Sequence, residues 1–435
     1  MKICIQNGRV IDPASQLDVD HNVYIEDGRI VAIAEDLAGF DADIEIDAYN
    51  KIVCPGLVDL SARLREPGQE HTATIESETR AAAAGGITTL AVPPDTDPVI
   101  DTPAVVELIE DRAKKAGRTM VLTIGALTQK LNGELLAEMA ALKAAGCVGV
   151  SNGVSEIKNT VVWRRALEYA ATLDLTVFIN AADPWLQKQG CVHEGTVSAR
   201  LGLSGIPESA ETIAVSRDLI LIEQTGVRAH FHSLSTGKAV KLIREAQERG
   251  LPVTADVSAH HLHLCEHDLG NYDSFSHVMP PLRGVRDREQ LKQGLRDGVI
   301  QAVSSHHQPL DADAKLGPFA ETTPGLSALE TLLPLTLKLV EDDEITLHQA
   351  IASLTCQPAA ILGIDAGQLK VGASADICII DADVQYDCQP SSFISAGKNS
   401  PFGGWLFQHQ VSHTLFQGKE AKSFINARLN NFSES

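Results

Sequence analysis

The sequence is poor in aromatic side chains and in positive charge, and it contains no long apolar run. Aromatic residues make up 4% of its 435 residues, and 36 Lys and Arg stand against 57 Asp and Glu, a formal net charge of -21. An acidic chain with few rings to stack on bases is poorly suited to bind nucleic acid or an anionic membrane surface. No apolar stretch is close to the length of about 18 residues that a membrane-spanning helix needs. We therefore expect no nucleic-acid partner and no membrane partner.

Paired cysteines are also missing. The eight cysteines are scattered singly, and none belongs to a Cys-x-x-Cys pair. Most lie in apolar, strand-like segments, where a reduced cysteine acts as a small hydrophobic side chain. The first residues, MKICIQNGRVIDPAS, lack the apolar core and small-residue cleavage site of a signal peptide. These features predict a cytoplasmic protein with reduced thiols.

Strand-like and helical patterns alternate in the middle of the chain. Eight strand-like runs occur at residues 57–60, 87–92, 120–125, 147–151, 176–180, 229–232, 252–257 and 299–304. Helical patterns separate most of these runs, and several of them end in glycine, as helices often do. The alternation predicts an α/β fold with a (β/α)8 TIM-like barrel.

Both ends of the chain have a different pattern, made of short strands and tight turns. Residues 23–34 predict a hairpin with its turn at Asp27 and Gly28, and a β-rich run follows Asp376. We predict a small composite β-sandwich from residues 1–53 and 360–425, a barrel at 54–359 and a tail at 426–435.

Several segments have distinctive sequences. They are PGLVDL at 55–60, LREPG at 64–68, AAAAGGITTLAVP at 81–93, RLGLSGIPESAE at 200–211, HHLHL at 260–264 and PPLR at 280–283. Together they resemble the dihydroorotase-like proteins of the amidohydrolase superfamily, in particular the catalytically inactive type that associates with aspartate transcarbamoylase. In active relatives zinc binds at the C-terminal mouth of a barrel that carries a β-sandwich, and the reaction is the reversible cyclisation of carbamoyl aspartate.

The resemblance places each metal or catalytic position of the family on a residue of this chain. The family pattern Asp-x-His-x-His-x-Arg becomes Asp59, Ser61, Arg63 and Arg65, so both histidines are replaced. A guanidinium has no lone pair for a metal. Later family ligands and the general-base aspartate fall on other residue types in the same way. The vestigial positions are Ser61, Arg63, Asn152, Asn180, Ser233 and His306.

The positions that would hold substrate are altered as well. Arg65 is kept, whereas the family's asparagines fall on Asp95 and Met279. Candidate anion or substrate-like binding positions are Arg65, Asp95, Met279, His260 and His261. We predict no catalytic residue, no metal ligand and no cofactor, although active relatives use zinc.

Two local expectations follow for the mouth. His230 and His232 stand two apart, so they share one face of a strand; we expect both to pack toward the helix layer or a loop, with Ser233 facing the lumen. We expect Arg63 to pair with Asp59, Asp95 or Asp183, because a buried guanidinium without a partner is costly.

These features predict a non-catalytic dihydroorotase-like subunit, a pseudoenzyme that supports the assembly or activity of aspartate transcarbamoylase in pyrimidine biosynthesis. The resemblance implies the aspartate transcarbamoylase catalytic subunit as partner and a homodimer or larger assembly. Two alternatives stay open. One is an active zinc amidohydrolase with a rearranged metal site among the surviving histidines, and the other is a regulatory module that binds an anion or a metabolite.

Overall fold

The N-terminal segment forms seven short strands in the structure, a computed structural model that describes residues 1–155 and 157–423. They are β1 (Lys2–Gln6), β2 (Arg9–Asp12), β3 (Leu17–Asp20), β4 (Asn22–Glu26), β5 (Arg29–Ala34), β6 (Ile44–Asp47) and β7 (Lys51–Pro55). Strands β4 and β5 pair antiparallel across Asp27 and Gly28, which confirms the predicted hairpin.

Eight parallel strands follow and form the barrel. They are β8 (Leu57–Asp59), β9 (Ile87–Val92), β10 (Met120–Ala126), β11 (Gly149–Ser151), β12 (Thr176–Ile179), β15 (Ala229–Phe231), β16 (Val253–Ser258) and β17 (Ala302–Ser304). Two-residue strands β13 (Val192–His193) and β14 (Gly205–Ile206) pair with each other after β12. His307 donates its backbone N–H to Ser61 and accepts one from Arg63, at 3.2 and 3.0 Å, so the first and last strands meet at the mouth. The predicted barrel is confirmed.

Twelve α-helices are present in the described part of the chain. They are α1 (Ile75–Ala84), α2 (Pro103–Ala116), α3 (Met139–Ala144), α4 (Thr160–Thr172), α5 (Pro184–Gln187), α6 (Thr196–Leu201), α7 (Ser209–Thr225), α8 (Gly237–Glu248), α9 (Val285–Arg296), α10 (Leu332–Glu341), α11 (Leu347–Leu354) and α12 (Cys356–Leu362). Helix α8 illustrates why they form: Thr236 caps its first turn, and Val240, Ile243 and Ala246 bury one face. None of the described helices is long and apolar enough to cross a membrane.

The C-terminal strands return to the N-terminal ones. Strands β18 (Ile377–Asp387), β19 (Leu406–Phe416) and β20 (Lys419–Ser423) join β7, β2 and β3 in a six-stranded sheet, and β5, β4, β1 and β6 form a four-stranded sheet. Side chains from both sheets, such as Ile5, Ile25 and Ile379, share one buried core. This arrangement confirms the predicted sandwich built from both ends. The predicted tail at 426–435 lies outside the described residues.

One cluster of buried side chains identifies the inside of the barrel. Val58, Ala91, Ile124, Phe178 and Ala302 come from five different strands and form one buried cluster with residues of α12. Because these strands are not all neighbours, their side chains can meet only in the lumen. This cluster gives the reference for deciding which mouth residues point inward.

Candidate functional site

All six vestigial positions lie at the barrel mouth, which we define as the C-terminal ends of the eight barrel strands and the loops that follow them. They follow strands β8, β11, β12, β15 and β17 directly. Catalytic groups of such barrels come from this end. The structure therefore brings these positions to one end of the barrel, as the resemblance implies.

Arg63 forms a salt bridge at the end of the first barrel strand. Its Nε and Nη2 donate to Asp95 Oδ2 at 2.9 and 2.8 Å, and the two side chains are 9% and 20% exposed. Arg63 Nη1 and Asp95 Oδ1 are buried and have no hydrogen-bond partner among the residues that the structure describes. Of the three carboxylates expected to pair with Arg63, the structure selects Asp95.

The other two carboxylates are engaged elsewhere. Asp59 accepts hydrogen bonds from the backbone N–H and the hydroxyl of Ser305, and burial raises the pKa of its carboxyl. Asp183 caps helix α5 by accepting the N–H groups of Trp185 and Leu186. Neither is therefore available to the guanidinium.

Arg65, which is kept from the family pattern, sits in the left-handed backbone region with φ 64°. Its Nε donates to the Pro309 carbonyl at 2.9 Å and its Nη1 to Gln69 at 3.1 Å. Burial and the nearby Arg63 charge lower the pKa of Arg65 to about 10. Its Nη2 is buried and has no hydrogen-bond partner within residues 1–155 and 157–423.

The two asparagines that the resemblance places at ligand positions are held by hydrogen bonds. Asn152 Oδ1 accepts from Thr128 Oγ1 at 2.6 Å, and its Nδ2 donates to the Leu131 and Ser155 carbonyls. Asn180 Nδ2 donates to the Gly153 carbonyl at 2.8 Å. These amides fix the loops after β11 and β12 and are poor substitutes for an anionic metal ligand.

His230 and His232 point into the lumen, so the prediction that they pack toward the helix layer is wrong. The ring centroids of His230 and the inward-facing Phe178 are 5.3 Å apart. His230 Nε2 lies 3.2 Å from Asp256 Oδ2. His232 Nδ1 lies 2.7 Å from the same oxygen. The prediction assumed that strand alternation continues to Ser233, but β15 ends at Phe231 and Ser233 has φ 52°.

Asp256 was not singled out in the sequence, yet it is the centre of this network. Its Oδ1 accepts the backbone N–H of Ser233 at 2.5 Å. Burial alone would raise its pKa, but the charge of His232 and the hydrogen bonds from His230 and His232 lower it. The alternation of Thr254, Asp256 and Ser258 with apolar residues was a usable signal, because it predicts a polar lumen face for this strand.

Three further histidines, His260, His261 and His306, form a buried group beside this network. The ring centroid of His306 lies 5.2 Å from that of His232 and 6.4 Å from that of His260. The ring centroids of His260 and His261 are 4.6 Å apart. Both ring nitrogens of His260 are buried, and neither has a hydrogen-bond partner in the described part of the chain. Burial lowers the pKa of His260 and His306 well below the ordinary value and that of His261 to about 4. These rings are neutral near pH 7.

A cavity opens at the mouth beside Ser233. Its empty volume, which includes open solvent, is about 630 Å³, and its lining includes Asn180, Glu211, His232, Ser233, Met279, Arg283 and His306. Glu211 accepts hydrogen bonds from Ser235 and Thr236, and Arg283 donates to Ser235 and to the Ile206 carbonyl. Both were missed in the sequence, although Arg283 ends the PPLR segment.

The six family positions do not fit zinc. They offer two hydroxyls, two amides, one guanidinium and only one imidazole, that of His306. Zinc is bound in proteins by thiolate, imidazole and carboxylate groups. In the part of the chain that the structure describes, the group with suitable donors is His230, His232 and Asp256, whose ligand atoms lie within 4.8 Å of one another. That group is already joined internally by hydrogen bonds.

Comparisons with known proteins agree with this architecture. The model of the Dihydro-orotase-like family matches residues 50–239, and that of the Amidohydrolase family matches residues 323–421. The fold is similar to that of L-hydantoinase from Arthrobacter aurescens, with TM-score 0.87, 24% identity and coverage of 97% of this chain and 96% of that one. Dihydropyrimidinase from Brevibacillus agri gives TM-score 0.84 at 22% identity, covering 97% and 95%.

Relatives with higher identity span nearly the whole chain. A "Dihydroorotase-like protein" of Pseudomonas aeruginosa is 49% identical over 418 residues, which cover 96% of this chain and 99% of that protein. Its counterpart from Pseudomonas putida is 48% identical, with 96% and 98% covered. A "Dihydroorotase" of Syntrophotalea carbinolica is 42% identical over 419 residues, again 96% and 98%. On this evidence the chain belongs to the dihydroorotase-like family of the amidohydrolases.

Proposed function

We propose that this chain is a non-catalytic dihydroorotase-like subunit that supports the assembly or activity of aspartate transcarbamoylase in pyrimidine biosynthesis. By pseudoenzyme we mean a protein that does not catalyse the family's zinc-dependent reaction. The observation that carries the proposal is the salt bridge of Arg63 with Asp95 at the position of a family zinc ligand.

The chemistry of the mouth supports the loss of that reaction. A zinc ion polarises the amide carbonyl and activates a water in such enzymes. Here a guanidinium replaces one ligand, and amides fixed by hydrogen bonds replace two more. A cation in the pocket also disfavours a second cation beside it. The donor set and the local charge therefore both oppose zinc at the family position.

Retention of the fold supports a role for shape and surface. The barrel and sandwich cores are intact, and the sequence segments that flank the altered positions keep the family pattern. A formal net charge of -21 suits a partner with basic patches. The resemblance suggests the aspartate transcarbamoylase catalytic subunit as that partner, and a homodimer or larger assembly as the working form.

The test is co-expression of this chain with the aspartate transcarbamoylase of its own host. We expect the two proteins to elute together on gel filtration, with light scattering giving the mass of a complex. Transcarbamoylase activity or thermal stability should be higher than for the same enzyme expressed alone. Separate elution with unchanged activity and stability would contradict the proposal.

One observation favours a second candidate, an anion-binding regulatory module. Arg63 Nη1 and Arg65 Nη2 are both buried, and no described residue accepts a hydrogen bond from either. Unsatisfied buried guanidinium donors are costly, and a bound carboxylate or phosphate would satisfy them. Thermal-shift screening with carbamoyl aspartate, dihydroorotate and phosphorylated nucleotides tests this candidate.

A further inference from the structure

We propose that Ser233, His232 and Asp256 act as a nucleophile, a base and a positioning carboxylate that hydrolyse small carboxylic esters at the barrel mouth. This activity needs no metal and is separate from the family's zinc-dependent reaction. It can therefore exist beside the supporting role proposed above.

The three side chains are connected in the order that a serine nucleophile requires. Asp256 Oδ2 lies 2.7 Å from His232 Nδ1, and His232 Nε2 lies 3.2 Å from Ser233 Oγ. The two ring nitrogens thus contact the carboxylate and the hydroxyl separately. Such a chain of contacts lets the imidazole take the hydroxyl proton while the carboxylate holds the ring in place.

The surrounding hydrogen bonds fix the protons of this group. Asp256 is fully buried and, as a carboxylate, can only accept hydrogen bonds. His232 Nδ1 must therefore carry a hydrogen, and the other ring nitrogen, Nε2, is the one that faces the Ser233 hydroxyl. Ser258 Oγ donates to Ser233 Oγ at 3.3 Å, so the Ser233 hydrogen stays free to point at His232.

Ser233 is held in an unusual backbone conformation. Its φ of 52° lies in the left-handed region, which residues other than glycine adopt rarely. The backbone N–H of Ser233 is fixed in this conformation by Asp256 Oδ1. Strained backbone of this kind is concentrated at functional sites. Here it brings Ser233 to the cavity wall directly after strand β15.

The cavity defines the class of substrate. Ser233 and His232 line it together with apolar groups such as Ala181, Leu234 and Met279. We take the substrate to be a neutral ester with a small acyl group, because these apolar groups lie beside Ser233 and His232 in the lining. Arg283 also lines it, and no hydrogen bond from its Nη2 to the described residues occurs, whereas its Nε and Nη1 are engaged. We assign Arg283 Nη2 as the donor to the negative oxygen that forms on the carbonyl.

The reaction consists of two transfers of the acyl group. Ser233 Oγ attacks the ester carbonyl carbon while its proton moves to His232 Nε2; the carbon–oxygen bond to the alcohol then breaks, and that proton leaves with the alcohol. Water attacks the acyl-serine in the second step and gives a proton to Nε2, which returns it to Ser233 Oγ as the carboxylic acid departs. The sum is ester plus water to acid plus alcohol.

A serine-reactive fluorophosphonate probe tests the proposal on the full chain in the presence of EDTA. We expect one covalent adduct per chain, mapped to Ser233 by peptide mass spectrometry, and none in Ser233→Ala. His232→Gln should lower the labelling rate by about 100-fold or more. Ser155→Ala, a mouth serine without an imidazole partner, is the matched control and should label like the wild type. Circular dichroism checks that each variant is folded.

Turnover of p-nitrophenyl acetate separates a catalytic role of this group from a structural one. Asp256→Asn should lower kcat while KM changes little, since Asp256 does not touch the substrate. Failure of the folded wild-type chain to form an adduct, or an adduct at another residue, would overturn the proposal. An adduct at Ser233 that forms equally fast in folded His232→Gln would overturn it too. None of these outcomes depends on whether aspartate transcarbamoylase binds.

Discussion

Arg63 Nη2 lies 2.8 Å from Asp95 Oδ2, and the pair joins the loops after the first and second barrel strands at the mouth. The resemblance implies a zinc ligand at the first position and a substrate-binding amide at the second in active family members. On that assignment the two replacements complement each other, because the cation and the anion form a salt bridge with one another.

Removal of one partner of this pair should destabilise the protein. In Asp95→Asn the Arg63 charge would stay buried without its carboxylate, so we expect the free energy of unfolding to fall by about 2 kcal/mol. Urea unfolding followed by circular dichroism measures it. Asp111→Asn is the control, because Asp111 and its partner Lys115 are both 74% exposed and 3.9 Å apart. Equal stability of the two variants would mean that the pair contributes nothing.

Protonation of Glu78 should lower the free energy of unfolding in acid. Burial by itself would raise the pKa of its carboxyl, but the hydrogen bond and charge of His307, with hydrogen bonds from Ser395 and Ala396, lower it to about 2 from 4.5. Because the folded-state pKa is the lower one, this stabilisation is present above pH 4.5 and is lost as the pH falls toward about 2.

The shift corresponds to about 3 kcal/mol at neutral pH. Unfolding free energies at several pH values should show this loss in the wild type and a flatter acid limb in Glu78→Gln. Glu76→Gln, on the exposed side of the same helix, should keep the wild-type profile. An unchanged acid limb in Glu78→Gln would contradict the assignment.

We expect Glu330 to give protein stability the opposite dependence on pH. Burial raises the pKa of its carboxyl to about 7, although the backbone N–H groups of Ile394 and Ser395 donate to it. The folded-state pKa is the higher one, so its contribution to stability is present below pH 4.5 and is lost as the pH rises through about 7.

Glu330→Gln keeps an acceptor for both N–H groups and has no charge. We expect this variant to melt at a higher temperature than the wild type near pH 8 and at a similar temperature near pH 5, by scanning calorimetry. Exposed Glu321→Gln should show no such difference. A Glu330→Gln variant that is less stable near pH 8 would show that the carboxylate is favourable there.

The unsatisfied arginine donors at the mouth predict stabilisation by small anions. Thermal-shift screening with carbamoyl aspartate, dihydroorotate and phosphorylated nucleotides should give a dose-dependent rise of Tm for at least one carboxylate or phosphate. Arg65→Gln should abolish that rise, whereas Arg112→Gln, an arginine that is 55% exposed, should not. Flat responses across the whole set would remove the anion-binding candidate.

Much of the architecture was predictable from the sequence, because buried parallel strands are continuous apolar runs and the helices between them end in recognisable glycines. All eight predicted barrel strands are present, with ends that differ by up to three residues. The family resemblance located the mouth positions, since the segments that flank them are well matched.

The orientation of side chains at the mouth was harder to predict. His230 and His232 were assigned to the wrong face because the strand ends at Phe231 and Ser233 adopts a left-handed conformation, which period-two alternation does not describe. The partner of Arg63 depended on tertiary contacts that occupy Asp59 and Asp183. The contacts of Asp256 with His232 depend on how strands β15 and β16 are aligned, and no local sequence pattern specifies that alignment.

Zinc content measured together with dihydroorotase turnover tests the central claim most directly. The protein is purified without chelator, its metals are measured by inductively coupled plasma mass spectrometry, and both reaction directions are assayed with and without EDTA. The loss of the family donor set predicts zinc far below one ion per chain and no turnover above background in either condition. Tightly bound stoichiometric zinc, with turnover that chelation abolishes, would contradict the account and favour a rearranged metal site.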